Sequence, residues 1–265
     1  MQSTNYAYVN GKFVPEGEAR ISIFDRGFLY GDGCFETMRV YGRRIFRAAE
    51  HLKRLGVGLN NLGIEMILSP EELRAACRAL IQYNDVAEGV ARVYQTQESI
   101  VVTVYHREFP PRELSAMVSS VRVDMELSGF KTANRLPYIL AEREARREGV
   151  DDAVLLNATG HVVEFTTSNL FVVRDGELFT PPLSDGPLPG ITRQAVLSLA
   201  EEAQIPVDER SFGRELLPTA DEVFATNSLI EIAPVTTWSR RHEITTQLQA
   251  AYRELVADEL NTPGP

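Results

Sequence analysis

The sequence predicts an α+β fold built from two domains. The chain has 265 residues, of which 44% are apolar, and this length suits two domains better than one. Segments that alternate as strands are interleaved with segments of helical periodicity. Paired prolines within Glu108–Glu113 can continue neither a strand nor a helix. We therefore expect a small N-terminal α/β domain over residues 1–107, a linker over 108–114 and a larger, strand-rich domain over 115–265.

The N-terminal domain is expected to contain several strands and two helices. Asn10-Gly11 is a strong hairpin signal. Leucines at positions 52, 55, 59 and 62 predict an amphipathic helix that ends near Gly63. Ser69-Pro70-Glu71-Glu72 combines a serine cap, a proline in the first turn and a capping glutamate, which predicts a helix to about Tyr83. Strands are expected at Tyr6–Val9, Lys12–Pro15, Cys34–Val40, Arg44–Phe46, Val90–Thr96 and Ile100–His106.

The C-terminal domain is expected to be richer in strands. Glycine-containing turns are predicted at Asn157–Gly160 and at Asp175-Gly176. The remaining expected elements are a strand at Met117–Met125, helices at Ala133–Glu148 and Thr192–Ala203, strands around Val207, Val223 and Ile232, and a closing helix from about Thr245.

Composition narrows the functional classes. A net charge of −10 disfavours a nucleic-acid-binding role. The chain has no run of 18 apolar residues and its N-terminus is polar, so we expect a soluble cytoplasmic protein without a membrane partner. Two cysteines and four scattered histidines suggest neither a disulfide framework nor a metal site.

Lysine is rare in this chain, and its rarity draws attention to Lys131. Only three of the 27 basic residues are lysines. An imine-forming amine is one role that arginine cannot fill, because a guanidinium keeps its charge. Lys12 belongs to a predicted hairpin and Lys53 to a predicted helix, whereas Lys131 lies in a small, mostly apolar segment. A solvated surface lysine is the alternative for Lys131.

An imine-forming lysine is useful mainly with a carbonyl cofactor such as pyridoxal phosphate, which needs a carboxylate and a phosphate site. Glu164 lies in an apolar, β-branched segment where an unpaired carboxylate would be costly; the alternative is an edge-strand glutamate facing water. Gly190-Ile191-Thr192 could bind phosphate through free amides and a hydroxyl, although an ordinary capped helix would look the same. Asn227-Ser228 form a second polar turn, and Arg54 supplies positive charge.

In these motifs the chain resembles the fold-type IV (class IV) pyridoxal-phosphate-dependent aminotransferases, from roughly Tyr8 to Val235. That family includes branched-chain and D-amino-acid aminotransferases and aminodeoxychorismate lyase. The matching segments, in order, are Asp25–Arg39, Glu50–Leu55, Lys131–Leu136, Glu164 with Ser168–Phe171, Gly190–Arg193, and Asn227-Ser228 before Glu231–Val235.

The resemblance implies a fold-type IV enzyme with its site at the domain interface and pyridoxal 5'-phosphate as cofactor. Lys131 matches the lysine that forms the imine and moves the proton, and Glu164 matches the partner of the pyridine nitrogen. Residues that match cofactor-binding positions are Arg54, Thr167, Ile191, Thr192, Asn227 and Ser228. Positions on the substrate side are Tyr30, Phe35, Thr37, Arg39, Gln97, Arg135 and Leu229, and Tyr30 is expected to reach across a homodimer interface.

One departure from the family concerns the substrate carboxylate. Many members carry an Arg-Gly loop after the strand that corresponds to Val90–Thr96. Here Gln97 stands where arginine is expected, Glu98 has the opposite charge, and the loop is short. A substrate carboxylate must then find another donor, such as Arg39 or Arg135, or the substrate lacks one.

The first functional interpretation is therefore a transaminase that moves an amino group between an amino acid or amine and a 2-keto acid in two half-reactions. Aminodeoxychorismate lyase is the second, since Lys131–Leu136 has a lyase-like sequence. A pyridoxal-phosphate-binding protein without turnover is a third, less favoured by the Lys131–Glu164 pair. The amino donor and its chirality stay open.

Overall fold

The structure is a computed structural model that describes residues 5–261. Its residue contacts divide the chain into two compact units. The first unit comprises the residues up to Phe109 together with Lys131–Asn134, and the second comprises Pro110–Phe130 and the residues from Arg135 onward. The short lysine-containing segment therefore groups with the N-terminal unit although it lies later in the chain.

The first unit is an antiparallel sheet with two long helices. Over the described residues the strand order is β2-β1-β6-β5-β3-β4. The strands are β1 (Tyr6–Val9), β2 (Lys12–Pro15), β3 (Gly33–Tyr41), β4 (Arg44–Ile45), β5 (Gly89–Thr96) and β6 (Ile100–His106), and the helices are α1 (Arg26–Tyr30), α2 (Ala48–Asn61) and α3 (Pro70–Tyr83).

Local sequence signals explain α2 and α3. The α2 leucines at positions 52, 55 and 59 are almost fully buried and pack in one core with β3 and β5. At α3, the Ser69 hydroxyl accepts from the Glu72 amide at 3.2 Å, and the Glu72 carboxylate accepts from the Ser69 amide at 2.8 Å. The predicted capping box is confirmed, and it satisfies two backbone donors that the helix itself leaves open.

The pleat of β3 gives its two faces different surroundings. Cys34, Met38 and Val40 point into the core with α2, and Glu36 lies on that same face. The intervening residues Phe35, Thr37 and Arg39 lie on the opposite face, because side chains alternate along a strand. In register, β3 pairs with β5 from Gly33–Thr96 to Val40–Gly89.

The second unit contains two sheets and is rich in strands, as expected. Over the described residues the sheet orders are β7-β8-β9 and β12-β11-β10-β13-β14. The strands are β7 (Ala116–Val123), β8 (Asp152–Asn157), β9 (Val162–Phe165), β10 (Asn169–Arg174), β11 (Glu177–Thr180), β12 (Val207–Glu209), β13 (Glu222–Asn227) and β14 (Glu231–Pro234), and the helices are α4 (Met125–Ser128), α5 (Leu136–Arg147), α6 (Ile191–Glu202) and α7 (Glu243–Asn261). Within residues 5–261, every helix is too short or too polar to span a membrane.

Two predicted boundaries in the C-terminal half were wrong. The helix expected from Ala133 begins at Leu136, because the backbone of residues 131–133 hydrogen-bonds to β3 instead. Thr132 bridges to Cys34, and the Ala133 amide donates to the Gly33 carbonyl oxygen at 2.8 Å. The strand expected to reach Met125 ends at Val123, because the following aspartate caps the short helix α4.

Candidate functional site

Lys131 is fixed to the sheet of the first unit by its own backbone. Its carbonyl oxygen accepts from the Phe35 amide at 3.0 Å, and its Nζ lies 4.9 Å from the centroid of the Phe35 ring. Lys131 is half-buried, whereas Lys12 and Lys53 are exposed. Of the three lysines, Lys131 therefore has the surroundings of a placed amine rather than of a solvated surface group.

A second cation lies on the same aromatic ring. The guanidinium of Arg92 is 4.5 Å from the Phe35 centroid, and Arg92 on β5 pairs in register with Thr37 on β3. Arg92 was missed in the sequence, although an arginine between the buried residues Ala91 and Val93 was a signal for a polar face of the strand. Lys131, Arg92, Phe35 and Thr37 thus gather on one face of the first unit.

A buried cluster of Glu36, His51 and Arg54 lies on the other face of β3. Glu36 is 0% exposed and His51 is 1% exposed. Arg54 donates from Nε to Oε1 and from Nη2 to Oε2 of Glu36, each at 2.8 Å. The Nδ1 atom of His51 is 2.8 Å from Oε2. Arg54, predicted to bind phosphate, is therefore held by a bidentate ion pair.

The charges in this cluster are well defined. Burial alone raises the pKa of Glu36, but the charge of Arg54 and hydrogen bonds from Arg54 and His51 lower it to about 2. Burial lowers the pKa of His51, although Glu36 opposes this, and the positive charges of Arg54 and Lys131 act in the same direction as burial. Glu36 is therefore ionised and His51 neutral near pH 7. Sequence reasoning missed both residues, although a glutamate inside the apolar strand β3 was a signal.

Glu164 is buried in the second unit. It lies on β9, is 5% exposed, and is not the water-facing edge-strand glutamate that was the alternative. Its Oε2 accepts from Asn169 Nδ2 at 3.2 Å and from the Leu188 amide at 3.1 Å, and its Oε1 is 3.4 Å from the Tyr138 hydroxyl. Three donors therefore stabilise a carboxylate in an apolar strand.

Arg135 and Tyr138 support this carboxylate. The Arg135 guanidinium stacks 3.6 Å above the centroid of the Tyr138 ring and donates to the Thr166 carbonyl oxygen. Burial, followed by the negative charge of Glu164, raises the pKa of Tyr138, so its hydroxyl keeps its proton and can donate. Arg135, predicted on the substrate side, packs within the second unit next to Glu164's donor.

The N-terminus of α6 is shaped by Gly190. A Cβ atom at this position would collide with Oδ1 of Asn169, so a larger residue would displace that side chain. Glycine brings no capping side chain, and the first amides of α6 therefore need another partner. Ile191 and Thr192 form this first turn, and Thr192 is 2% exposed. Asn169 connects this turn to Glu164.

A second polar turn follows β13. Oδ1 of Asn227 accepts from the amides of Leu229 and Ile230, at 2.8 and 2.9 Å. Its Nδ2 donates to the Ser168 hydroxyl at 2.9 Å and to the Thr167 carbonyl oxygen at 3.2 Å.

The side chain of Asn227 thus builds the turn that carries Ser228 and Leu229, which are half-buried. In the preceding position, Oγ1 of Thr226 is buried without a hydrogen-bond partner among the described residues. The sequence placed Thr226 in this hydroxyl-rich turn, but only Asn227 and Ser228 were predicted as site residues.

The remaining substrate-side predictions have distinct surroundings. The Arg39 guanidinium lies between two aromatic rings, 4.4 Å from the Tyr41 centroid and 4.3 Å from the Phe109 centroid. Tyr30 on α1 is 67% exposed. Gln97 is exposed in the turn between β5 and β6.

That turn is closed by a buried hydrogen-bond network. The Thr96 hydroxyl donates to Asp25 at 2.9 Å and accepts from the Ser99 and Glu98 amides at 2.9 and 3.2 Å. Asp25, 0% exposed, also caps α1 by accepting from the Gly27 amide at 2.7 Å. The short turn is thus fixed to α1, a helix that the sequence analysis did not predict.

Comparison with known proteins identifies the family. The family model described as "Amino-transferase class IV" matches residues 33–238. The aminodeoxychorismate lyase of Bacillus subtilis is 31% identical, with 97% of each chain covered. The branched-chain-amino-acid aminotransferase of Escherichia coli K12 is 32% identical, over 88% of this chain and 85% of its own.

A solved structure confirms the predicted fold class. The branched-chain aminotransferase of Thermoproteus uzoniensis, crystallised with norvaline, superposes with a TM-score of 0.89. It is 31% identical, and the match covers 97% of this chain and 96% of that one. The resemblance stated from the motifs is confirmed together with the fold-type IV architecture. The chain belongs to the class IV aminotransferase family.

Proposed function

We propose that this protein is a pyridoxal-phosphate-dependent transaminase that moves an amino group between an amino acid or amine and a 2-keto acid. The proposal rests on two side chains, one in each unit, whose surroundings differ from those of ordinary surface residues. Lys131 is an amine anchored by its backbone to β3. Glu164 is a carboxylate buried among three donors. A lysine and a carboxylate are the two groups that pyridoxal phosphate requires for this chemistry.

The side chains present fit this cofactor. Bound pyridoxal phosphate supplies an electrophilic carbonyl carbon and an electron-withdrawing ring. Gly190 brings no capping side chain to the first turn of α6, where amides can receive a phosphate. The buried Thr226 hydroxyl, which has no partner among the described residues, is a further donor beside the second turn. The residues proposed to hold the cofactor are Arg54, Lys131, Glu164, Thr167, Ile191, Thr192, Asn227 and Ser228.

Each of the two central residues has a proposed task. Lys131 Nζ is the base that removes a proton from the substrate α-carbon and returns it later in the cycle. Glu164 stays ionised and holds a proton on the pyridine nitrogen, so that the ring can accept electrons. The donors Asn169, Leu188 and Tyr138 favour the ionised form of Glu164, since hydrogen bonds to a carboxylate stabilise its charge.

For a substrate carboxylate, Arg92 is our preferred donor. It is exposed and shares the Phe35 ring with Lys131. Arg39 is half-buried between two aromatic rings, and Arg135 is half-buried and already donates to the Thr166 carbonyl oxygen, so both are less accessible than Arg92. Tyr30, Phe35, Thr37 and Leu229 remain proposed substrate contacts, and Gln97 remains a proposed contact only from its sequence position.

We also propose a homodimer with shared sites. The surface segment from Ile21 to Tyr30, here called the apolar segment, is unusually exposed. Phe24 is 74% exposed, and Phe28 and Tyr30 are each 67% exposed. Several exposed apolar side chains within one short segment are typical of a protein–protein interface. A second copy of the chain, related by a two-fold axis, would cover it and would bring Tyr30 to the neighbouring site.

The proposal is tested by locating the cofactor on the chain. Borohydride treatment of the protein loaded with pyridoxal phosphate should attach a phosphopyridoxyl group to the peptide containing Lys131. Lys131→Arg should abolish labelling, because arginine does not form an imine at neutral pH. Lys53→Arg, on an exposed helical face, is the matched control and should label normally. Labelling at Lys12 or Lys53 in the unmodified chain would refute the assignment.

The second candidate is aminodeoxychorismate lyase. It is favoured by the similarity to the Bacillus subtilis enzyme over 97% of the chain. Single-turnover assays distinguish the two activities. A transaminase should convert the cofactor to its amine form with an amino acid, and a keto acid should reverse the change. Release of pyruvate from aminodeoxychorismate, without that reversible change, would favour the lyase.

A further inference from the structure

We propose that Glu36, supported by His51, is a positioning residue that fixes the guanidinium of Arg54 for an anionic cofactor phosphate. The inference rests on the proposed function, because it takes Arg54 to be the phosphate-binding arginine. It concerns two buried polar residues to which no catalytic task has been given above.

The ion pair fixes the orientation of Arg54. A guanidinium has five N–H donors in one plane, and Glu36 takes one from Nε and one from Nη2, both at 2.8 Å. A bidentate contact with a fully buried carboxylate determines both the direction and the plane of the group. The edge of the guanidinium that carries Nη1 then points away from Glu36 in a fixed direction. An arginine ordered before binding loses less conformational freedom when the phosphate arrives.

His51 in turn fixes Glu36. An ionised carboxylate can only accept hydrogen bonds, so the Nδ1 atom of His51, 2.8 Å from Oε2, must carry the proton. This contact connects α2 to β3 at a second point beside Arg54. A neutral histidine with its proton on Nδ1 adds orientation without adding charge. The charged groups that act on it are Glu36 from β3, Arg54 from its own helix, and Lys131.

Electrostatics alone predicts that Glu36 weakens phosphate binding, which is the opposite of a positioning role. The carboxylate cancels the positive charge of Arg54, so a negative charge beside the phosphate-binding arginine should weaken phosphate binding. If Glu36 acts only as a counter-ion, its removal should strengthen cofactor binding. If Glu36 positions Arg54, its removal should weaken cofactor binding. The two roles therefore differ in the sign of the effect.

The test is Glu36→Gln in the full chain, with dissociation constants for pyridoxal phosphate and for pyridoxal, which lacks the phosphate. Glutamine is nearly isosteric with glutamate, but its NH2 group only donates. The side chain can therefore not accept one hydrogen bond on each terminal atom, as Glu36 does from Arg54. We expect pyridoxal phosphate to bind about 10- to 100-fold more weakly, the range seen when an orienting partner of a metal ligand is removed. Pyridoxal should bind as before. Asp85→Asn, which removes a carboxylate from an exposed ion pair of the same unit, should change neither constant.

His51 supplies a second, independent readout. In His51→Asn the amide nitrogen takes the place of Nδ1 and can still donate to Glu36, so cofactor affinity should stay within about threefold of normal. His51→Leu cannot donate and should reproduce the loss seen in Glu36→Gln. Thermal unfolding identifies variants that fail to fold, and the comparison between the two histidine variants then decides.

The outcomes separate the inference from the proposed function. Tighter or unchanged binding of pyridoxal phosphate by Glu36→Gln would overturn the positioning role while leaving the enzyme assignment intact. Equal weakening for pyridoxal phosphate and pyridoxal would overturn it too, since the effect would not involve the phosphate. Failure of the unmodified protein to bind pyridoxal phosphate would instead refute the proposed function.

Discussion

Glu164→Gln tests the proposed chemistry with little expected damage to the fold. The substitution removes a charge and replaces one carboxylate oxygen by an NH2 group. Asn169 and the Leu188 amide both donate to Oε2, so the remaining oxygen should occupy that position. The new amide group then faces the Tyr138 hydroxyl, which can rotate to accept instead of donating. Every buried polar atom in this group keeps a partner.

These contacts determine how much the free energy of unfolding should change. A hydrogen bond to a charged group contributes about 1.5–3 kcal/mol and a neutral one about 1 kcal/mol, so two weakened bonds cost about 1–4 kcal/mol. Removing a buried charge offsets part of this cost. We expect the free energy of unfolding to fall by less than about 2 kcal/mol. Turnover should fall about 100-fold or more, the scale for losing one preorganised charge-stabilising group.

Differential scanning calorimetry and single-turnover kinetics measure the two effects separately. Glu142→Gln, at a half-buried glutamate on α5 paired with Arg146, is the matched control for loss of a carboxylate. It should keep normal turnover. Near-normal turnover in Glu164→Gln would remove this residue from the mechanism. A large loss of thermal stability would show instead that the hydrogen-bond assignment around Glu164 is wrong.

Three further substitutions have defined outcomes. Thr96→Val removes a donor to the buried Asp25 carboxylate and should cost about 1.5–3 kcal/mol of unfolding free energy in calorimetry. An unchanged melting temperature would contradict the importance of the hydrogen-bond network that closes the turn. Arg92→Gln should raise KM for a carboxylate substrate at least about 10-fold, more than Arg135→Gln does, and the reverse order in steady-state kinetics would show that Arg135 is the carboxylate donor. Phe28→Asp in the apolar segment should shift sedimentation equilibrium toward monomer, whereas an undiminished dimer would place the interface elsewhere.

Much of the fold could be predicted because its signals are local. The capping box at Ser69 and the buried leucines of α2 needed only neighbouring residues. The start of α5 could not be found this way, because residues 131–133 hydrogen-bond to β3 about one hundred positions earlier. A non-local pairing of this kind overrides helix propensity, and the sequence of the segment alone does not predict it.

The residues of the candidate site likewise fall into those that the sequence could identify and those that it could not. Lys131 and Glu164 were identifiable since each is chemically out of place in its segment. Glu36, Tyr138 and Arg92 were not identified, because their partners come from other elements and only the folded chain brings them together. The structure adds supporting contacts around the two predicted residues, and the catalytic roles themselves stay predictions.

The short turn at Gln97 lacks the loop arginine that would bind a substrate carboxylate, but the neighbouring strand β5 carries Arg92. A loop arginine binds a carboxylate only after the loop is ordered, and ordering costs conformational entropy. Arg92 instead projects from the interior of β5, and Phe35 already supports one face of its guanidinium. Stacking occupies the face of the group but leaves its N–H edge for a carboxylate. A donor on a rigid strand can therefore replace one on a flexible loop, so the missing loop arginine does not by itself exclude carboxylate substrates.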